Sequence, residues 1–121
     1  MKKHLLIVDD EIEIRDLLVL FLTGHGYRVT ALESALEALR FVQKEKPDLI
    51  ISDLQLEDSD GLAMIEQLKA TLPDTPVILL TGVLFDAQVF HDTLSKKVST
   101  YLMKTTPLAK IKLEIERLIG P

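Results

Sequence analysis

Four places along this chain carry side chains that could do chemistry together: Asp9-Asp10-Glu11, Asp53, Thr81 and Lys104. Each follows a short apolar run. Leu5-Leu6-Ile7-Val8 precedes Asp9, Leu49-Ile50-Ile51-Ser52 precedes Asp53, Val77-Ile78-Leu79-Leu80 precedes Thr81, and Ser99-Thr100-Tyr101-Leu102-Met103 precedes Lys104. Runs this short and apolar read as strands of a parallel sheet, the central ones buried on both faces. Open α/β sheets gather their ligands beyond the carboxyl ends of the strands. Two or three acids, a hydroxyl and an ammonium are therefore expected to converge on one rim.

Carboxylates a few Å apart repel unless a cation joins them. Oxygen donors with no nearby His or Cys favour Mg²⁺, held through one or two carboxylates plus waters. Such a site leaves positions open for phosphate oxygens. Lys104 can serve as a point charge on one such oxygen, and Thr81 can donate a hydrogen bond to another. The set suits the placing of a phosphoryl group on a carboxylate, with Asp53 as the in-line nucleophile.

Taken singly, these residues have plainer readings. Asp53 alone is a turn acid after a strand, and Asp9 and Asp10 alone are helix caps. Lys104 alone is a solvated surface charge, and Tyr101 is partly buried sheet packing. Their shared position at strand ends is what sets them apart. His4, His25 and His91 share no ligand spacing, read as surface or loop residues, and receive no role.

Elements able to position these residues alternate along the chain. After the first strand, Ile14, Leu17, Leu18 and Phe21 recur at helical spacing, with Asp10 as the expected cap and Gly24-His25-Gly26 as the stop. Arg28–Leu32 reads as a second, more exposed strand. Ser34 is expected to cap a helix over Ala35–Lys44, with Ala35, Leu36, Leu39 and Val42 inward. Gly61 opens a third helix carrying Leu62, Ile65 and Leu68. A fourth spans roughly Asp86–Leu94, where Phe85, Val89 and Phe90 are either core or a partner patch. Pro107 suits the first turn of a fifth, whose stripe is Leu108, Ile111, Ile115, Leu118 and Ile119. Five strands alternating with five helices imply an α/β fold, a doubly wound parallel sheet with helices on both faces.

Composition narrows the function classes. The chain has 121 residues, 47% of them hydrophobic, which fits one domain over 1–121 with one core. Its net charge of −5 and scattered basic residues argue against direct nucleic-acid binding. The absence of cysteine excludes disulfides, thiolate zinc sites and cysteine nucleophiles. No signal peptide is apparent, and no apolar run approaches the ~20 residues that span a bilayer. A cytoplasmic domain without membrane partners is expected.

Asp9-Asp10, Asp53, Thr81 and Lys104, in this order and on these strand ends, resemble the receiver domain of two-component response regulators, chemotaxis-regulator-like, over essentially the whole chain. The resemblance implies a flavodoxin-like sheet of order 2-1-3-4-5. It implies phosphotransfer to Asp53 from a phosphohistidine on a sensor histidine kinase or a histidine phosphotransfer protein. Asp10, Asp53 and the Gln55 backbone carbonyl would ligate Mg²⁺ directly, and Asp9 through water. Phosphorylation would draw Thr81 toward the phosphate and let Tyr101 turn inward. The face of the fourth helix, fifth strand and fifth helix would then be remodelled for a downstream effector domain or protein, or for a homodimer. Gln55 and Val83 would flank the site and tune hydrolysis. The chain is expected to be either a stand-alone receiver or a portion of a longer regulator.

Several positions depart from the family pattern. Leu56 and Glu57 stand where Met-Pro is usual, and Lys97-Val98 where Gly-Ala usually precedes the switch aromatic. Thr105 replaces the proline that normally follows the lysine. A non-proline cis bond costs ~3–4 kcal/mol, so a trans bond or an altered loop is expected there. Two other classes compete. A pseudo-receiver would bind a partner without phosphorylation and would not bind Mg²⁺. A phosphohydrolase of the haloacid dehalogenase type needs a second Asp two residues past the nucleophile, where this chain has Gln55. The expected class is a phosphoacceptor, not a multiple-turnover enzyme.

Overall fold

The computed structural model describes residues 2–53, 56, 61–82 and 97–121. Among the described residues there are five strands: β1 His4–Val8, β2 Arg28–Leu32, β3 Leu49–Ser52, β4 Val77–Thr81 and β5 Thr100–Met103. They form one parallel sheet of order β2-β1-β3-β4-β5. Four helices are described: α1 Ile12–Gly24, α2 Ala35–Val42, α3 Gly61–Thr71 and α4 Leu108–Ile119. The helix expected over Asp86–Leu94, with Phe85, Val89 and Phe90, lies outside the described residues.

Side chains alternate between the two faces of a strand, and here that alternation divides the core in two. Leu6, Val8, Ile50, Val77 and Leu79 face Ala38 and Val42 of α2 and Met64, Ile65 and Leu68 of α3. Leu5, Ile7, Leu49, Ile51, Ile78 and Leu80 face Leu18 and Leu22 of α1 and Ile111 and Ile115 of α4. The sheet is thus covered on both sides. Every residue of β1, β3 and β4 is buried, whereas the outer strands β2 and β5 are partly exposed. Continuous apolar runs mark the central strands for this reason.

Helix phases differ in part from expectation. In α1 the buried residues are Leu18 and Leu22, while Leu17 is half-exposed. The stretch Leu17-Leu18-Val19-Leu20-Phe21-Leu22 is apolar all round, so periodicity alone fits more than one facing. In α2 the inward residues are Ala35, Ala38 and Val42, and Leu36 points outward. Ser34 caps α2 as expected, its Oγ accepting from Glu37 N at 3.2 Å. This helix ends at Val42, short of Lys44. The N-cap of α1 is Glu11 rather than Asp10, and no side chain caps it. Pro107 sits one residue before the first turn of α4 as its N-cap. Gly26, with φ +92°, lets the chain turn from α1 into β2.

His4 is a further correction. It is buried at the start of β1, with Nε2 2.7 Å from Thr30 Oγ1 and its ring edge-on to Phe41. Burial pushes its pKa below the ordinary 6.5, and Arg28 adds to the effect, against opposing pulls from Glu45 and Asp48. A depressed histidine contributes stability that is fully present above the unfolded value and is lost as pH falls toward the folded one. Urea midpoints should therefore fall as pH drops from 7.5 through 6.5 toward 5.5, and His4→Gln should flatten that fall. An unchanged slope in the variant would assign the pH dependence to other groups.

Candidate functional site

Backbone pairing carries the candidate residues to one rim. Asp53 N donates to Val8 O at 3.0 Å, extending the β1–β3 ladder by one residue and setting Asp53 beside Asp9. Asp9 N donates to Leu32 O at 3.1 Å. On the other side, Lys104 N donates to Thr81 O at 2.8 Å, so the lysine starts level with the end of β4. The turn from β1 into α1 is folded around Asp9: Glu11 N donates to its Oδ1 at 2.9 Å, and Arg15 Nη1 to its backbone oxygen at 2.8 Å.

Lys104 spans the gap between these groups. Its Nζ donates to Asp53 Oδ2 at 3.0 Å and lies 3.1 Å from Asp9 Oδ2. It also donates to Glu11 Oε1. Asp9, Asp53 and Thr81 are buried, and the Lys104 side chain is 11% exposed. One carboxylate oxygen from each of Asp9, Asp10, Glu11 and Asp53 lies within 4.8 Å of the others. Among the described residues, four carboxylates outnumber the Lys104 ammonium and the Arg15 guanidinium at the Asp9 backbone oxygen, which leaves uncompensated negative charge. That surplus, on hard oxygen donors, makes the pocket compatible with a metal ion.

Electrostatics follow burial. Asp9 is raised from its ordinary pKa chiefly by burial and further by the charge of Asp53, with the Glu11 N–H and Lys104 opposing. For Lys104, burial alone favours the neutral amine. The hydrogen bonds to Glu11, Asp53 and Asp9 together outweigh it and raise the pKa. Lys104 is therefore a fixed positive charge at any physiological pH.

The remaining expected residues are distributed as follows. Thr81 closes β4, fully buried. Tyr101, the register partner of Leu79, is half-buried and packs against the α2–α3 side of the core. Gln55 and Val83 lie outside the described residues, as does Glu57. Leu56 and Val98, at two departures from the family pattern, are buried. The Lys104–Thr105 bond is trans, and Thr106 N closes a turn onto Met103 O at 2.9 Å. Glu11 was not singled out by sequence reasoning as a partner of Lys104. It belongs to a run of three acids, and spacing does not tell which of them turns toward the lysine.

The family model for the response regulator receiver domain matches residues 5–116. The chain belongs to that family. It is a receiver of two-component signalling. Over 79 residues the receiver is 45% identical to the transcriptional regulatory protein GlrR of Escherichia coli K12, a match covering 65% of this chain and 18% of that protein. Over 95 residues it is 38% identical to the DNA-binding transcriptional regulator NtrC of Klebsiella pneumoniae, covering 78% and 19%. This chain thus spans about a fifth of the length of those relatives. Among solved structures, the CheY-like receiver domain protein of Methanospirillum hungatei superposes with TM-score 0.89 at 26% identity, covering 97% of this chain and 93% of that one. The receiver domain of a signal transduction histidine kinase from Syntrophus aciditrophicus gives 0.85 at 31% identity, covering 98% and 90%.

Replacing Lys104 in this receiver removes the cation from a buried acidic pair. Lys104→Met should cost on the order of 3–5 kcal/mol at neutral pH, the scale for stranding a buried charge. The loss should shrink as pH falls and protonation relieves Asp9, whose pKa is already raised. Urea unfolding of both proteins at neutral and mildly acidic pH checks this. Equal stability at neutral pH would contradict it.

Proposed function

We propose that the whole span 1–121 acts as one receiver that takes a phosphoryl group onto Asp53 from a phosphohistidine of a sensor histidine kinase or histidine phosphotransfer protein. The observation that carries this reading is the contact between the Lys104 ammonium and Asp53 Oδ2, at 3.0 Å, on the same rim as three further carboxylates. In the transfer, an Asp53 carboxylate oxygen forms a bond to phosphorus while the bond from phosphorus to the imidazole nitrogen breaks. The electron pair of that bond stays on the imidazole. Lys104 offsets the charge on the phosphoryl oxygens, and the Thr81 hydroxyl donates to one of them.

The donor set fits Mg²⁺. Asp10, Asp53 and the Gln55 carbonyl would hold it, with Asp9 acting through water; bound there, it would draw charge from the phosphoryl oxygens. Thr81 moving to the phosphate leaves space behind it for Tyr101 to turn inward. The face that includes β5 and α4 then changes shape for an effector domain, a partner protein or a second copy. The regulators and the kinase among the relatives support such an output without choosing between them. On this reading the chain serves as a cytoplasmic phosphoacceptor and turns over no external substrate. Among the described residues, no helix is long and apolar enough to cross a membrane.

Acetyl phosphate with Mg²⁺ should add one phosphate to the chain by intact mass, and Asp53→Asn should add none. Labelling of the Asn variant equal to wild type would overturn the assignment to Asp53. Sustained turnover of a phosphate monoester would instead favour a phosphohydrolase.

A further inference from the structure

We propose that Glu11 is a positioning residue: it holds the Lys104 ammonium in the resting site and must yield it before phosphoryl transfer. This rests on the reading of Asp53 as phosphoacceptor. An ammonium has three N–H donors and no acceptor. In the resting structure Lys104 is bonded to Asp9, Glu11 and Asp53, so these carboxylates account for all its donors. A phosphoryl group arriving at Asp53 brings further oxygens that need the same ammonium, and one carboxylate has to let go.

Burial decides which one. The side chains of Asp9 and Asp53 are 3% and 8% exposed, whereas that of Glu11 is 58% exposed. In the metal-free site, releasing either aspartate would strand a buried charge, at high cost. Water solvates Glu11 as it leaves, so its release is cheap. Backbone geometry keeps the residue aimed. Glu11 N is held by Asp9 Oδ1 at 2.9 Å, and Glu11 O accepts from Arg15 N at 3.0 Å. The side chain caps nothing in α1, so its removal leaves the helix start intact. Glu11 thus competes with the incoming phosphoryl group for Lys104, and the strength of that competition sets part of the reaction rate.

The test uses the full chain with acetyl phosphate and saturating Mg²⁺, comparing wild type, Glu11→Gln, Glu11→Ala and Glu13→Gln. Glu13, in the first turn of α1, removes the same charge without a bond to Lys104 among the described residues. Both Glu11 variants should be phosphorylated about two- to five-fold faster at saturating Mg²⁺, the scale of one exposed ion pair, with Glu13→Gln near wild type. In the metal-free protein, the Lys104 ammonium protons, identified by their loss in Lys104→Met, should exchange faster with water in the Glu11 variants. An unchanged or slower rate, or equal acceleration by Glu13→Gln, would overturn the proposal. Failure of wild type itself to take phosphate would overturn the Asp53 reading instead, and the ammonium exchange would still decide whether Glu11 holds Lys104.

Discussion

One ammonium among buried carboxylates is the constraint that the rest of this structure satisfies. Asp9 and Asp53 approach each other because the β1–β3 ladder continues through the bond from Asp53 N to Val8 O. Without a positive charge between them, that approach is costly. Lys104 supplies the charge from the far side of β4, where its own backbone is pinned to Thr81 O. Sheet order therefore has a chemical consequence. With β1 and β3 adjacent and β5 one strand beyond β4, the acids sit side by side and the lysine reaches across Thr81 to meet them.

The same arrangement suits the proposed chemistry. The Lys104 side chain offsets only part of the negative charge around it, so the pocket retains an appetite for cations. Burial of Asp53 limits water near the residue proposed to become an acyl phosphate, and the exposed Glu11 gives the ammonium a partner it can lose.

Much of this was legible before any coordinates. The strands β1, β3 and β4 announce themselves as unbroken apolar runs because both of their faces are covered. The polar residues that end them fall on one rim because parallel strands share a direction. What the residue pattern did not resolve was rotation about a helix axis. Leu17 and Leu36 are as apolar as the positions that do face inward; Leu18 falls where its spacing puts it, but only packing against the sheet selects Leu22 and Ala38. His4 was misread for a related reason: burial of a histidine depends on Thr30 and Phe41, distant in sequence but adjacent across the fold. The link from Glu11 to Lys104 joins residues 93 positions apart, and no local spacing encodes it. Thr105, in contrast, was informative: the energetic cost of a non-proline cis bond left a trans bond or an altered loop as the expectation, and the bond is trans.

The central claim is that the carboxylate held by Lys104 is the one that becomes phosphorylated. Borohydride reduction after treatment with acetyl phosphate and Mg²⁺ converts an acyl phosphate of aspartate to homoserine, which peptide mass mapping can locate. The account predicts homoserine at position 53 alone. Homoserine at position 9 or 10, or modification confined to a histidine, would contradict it.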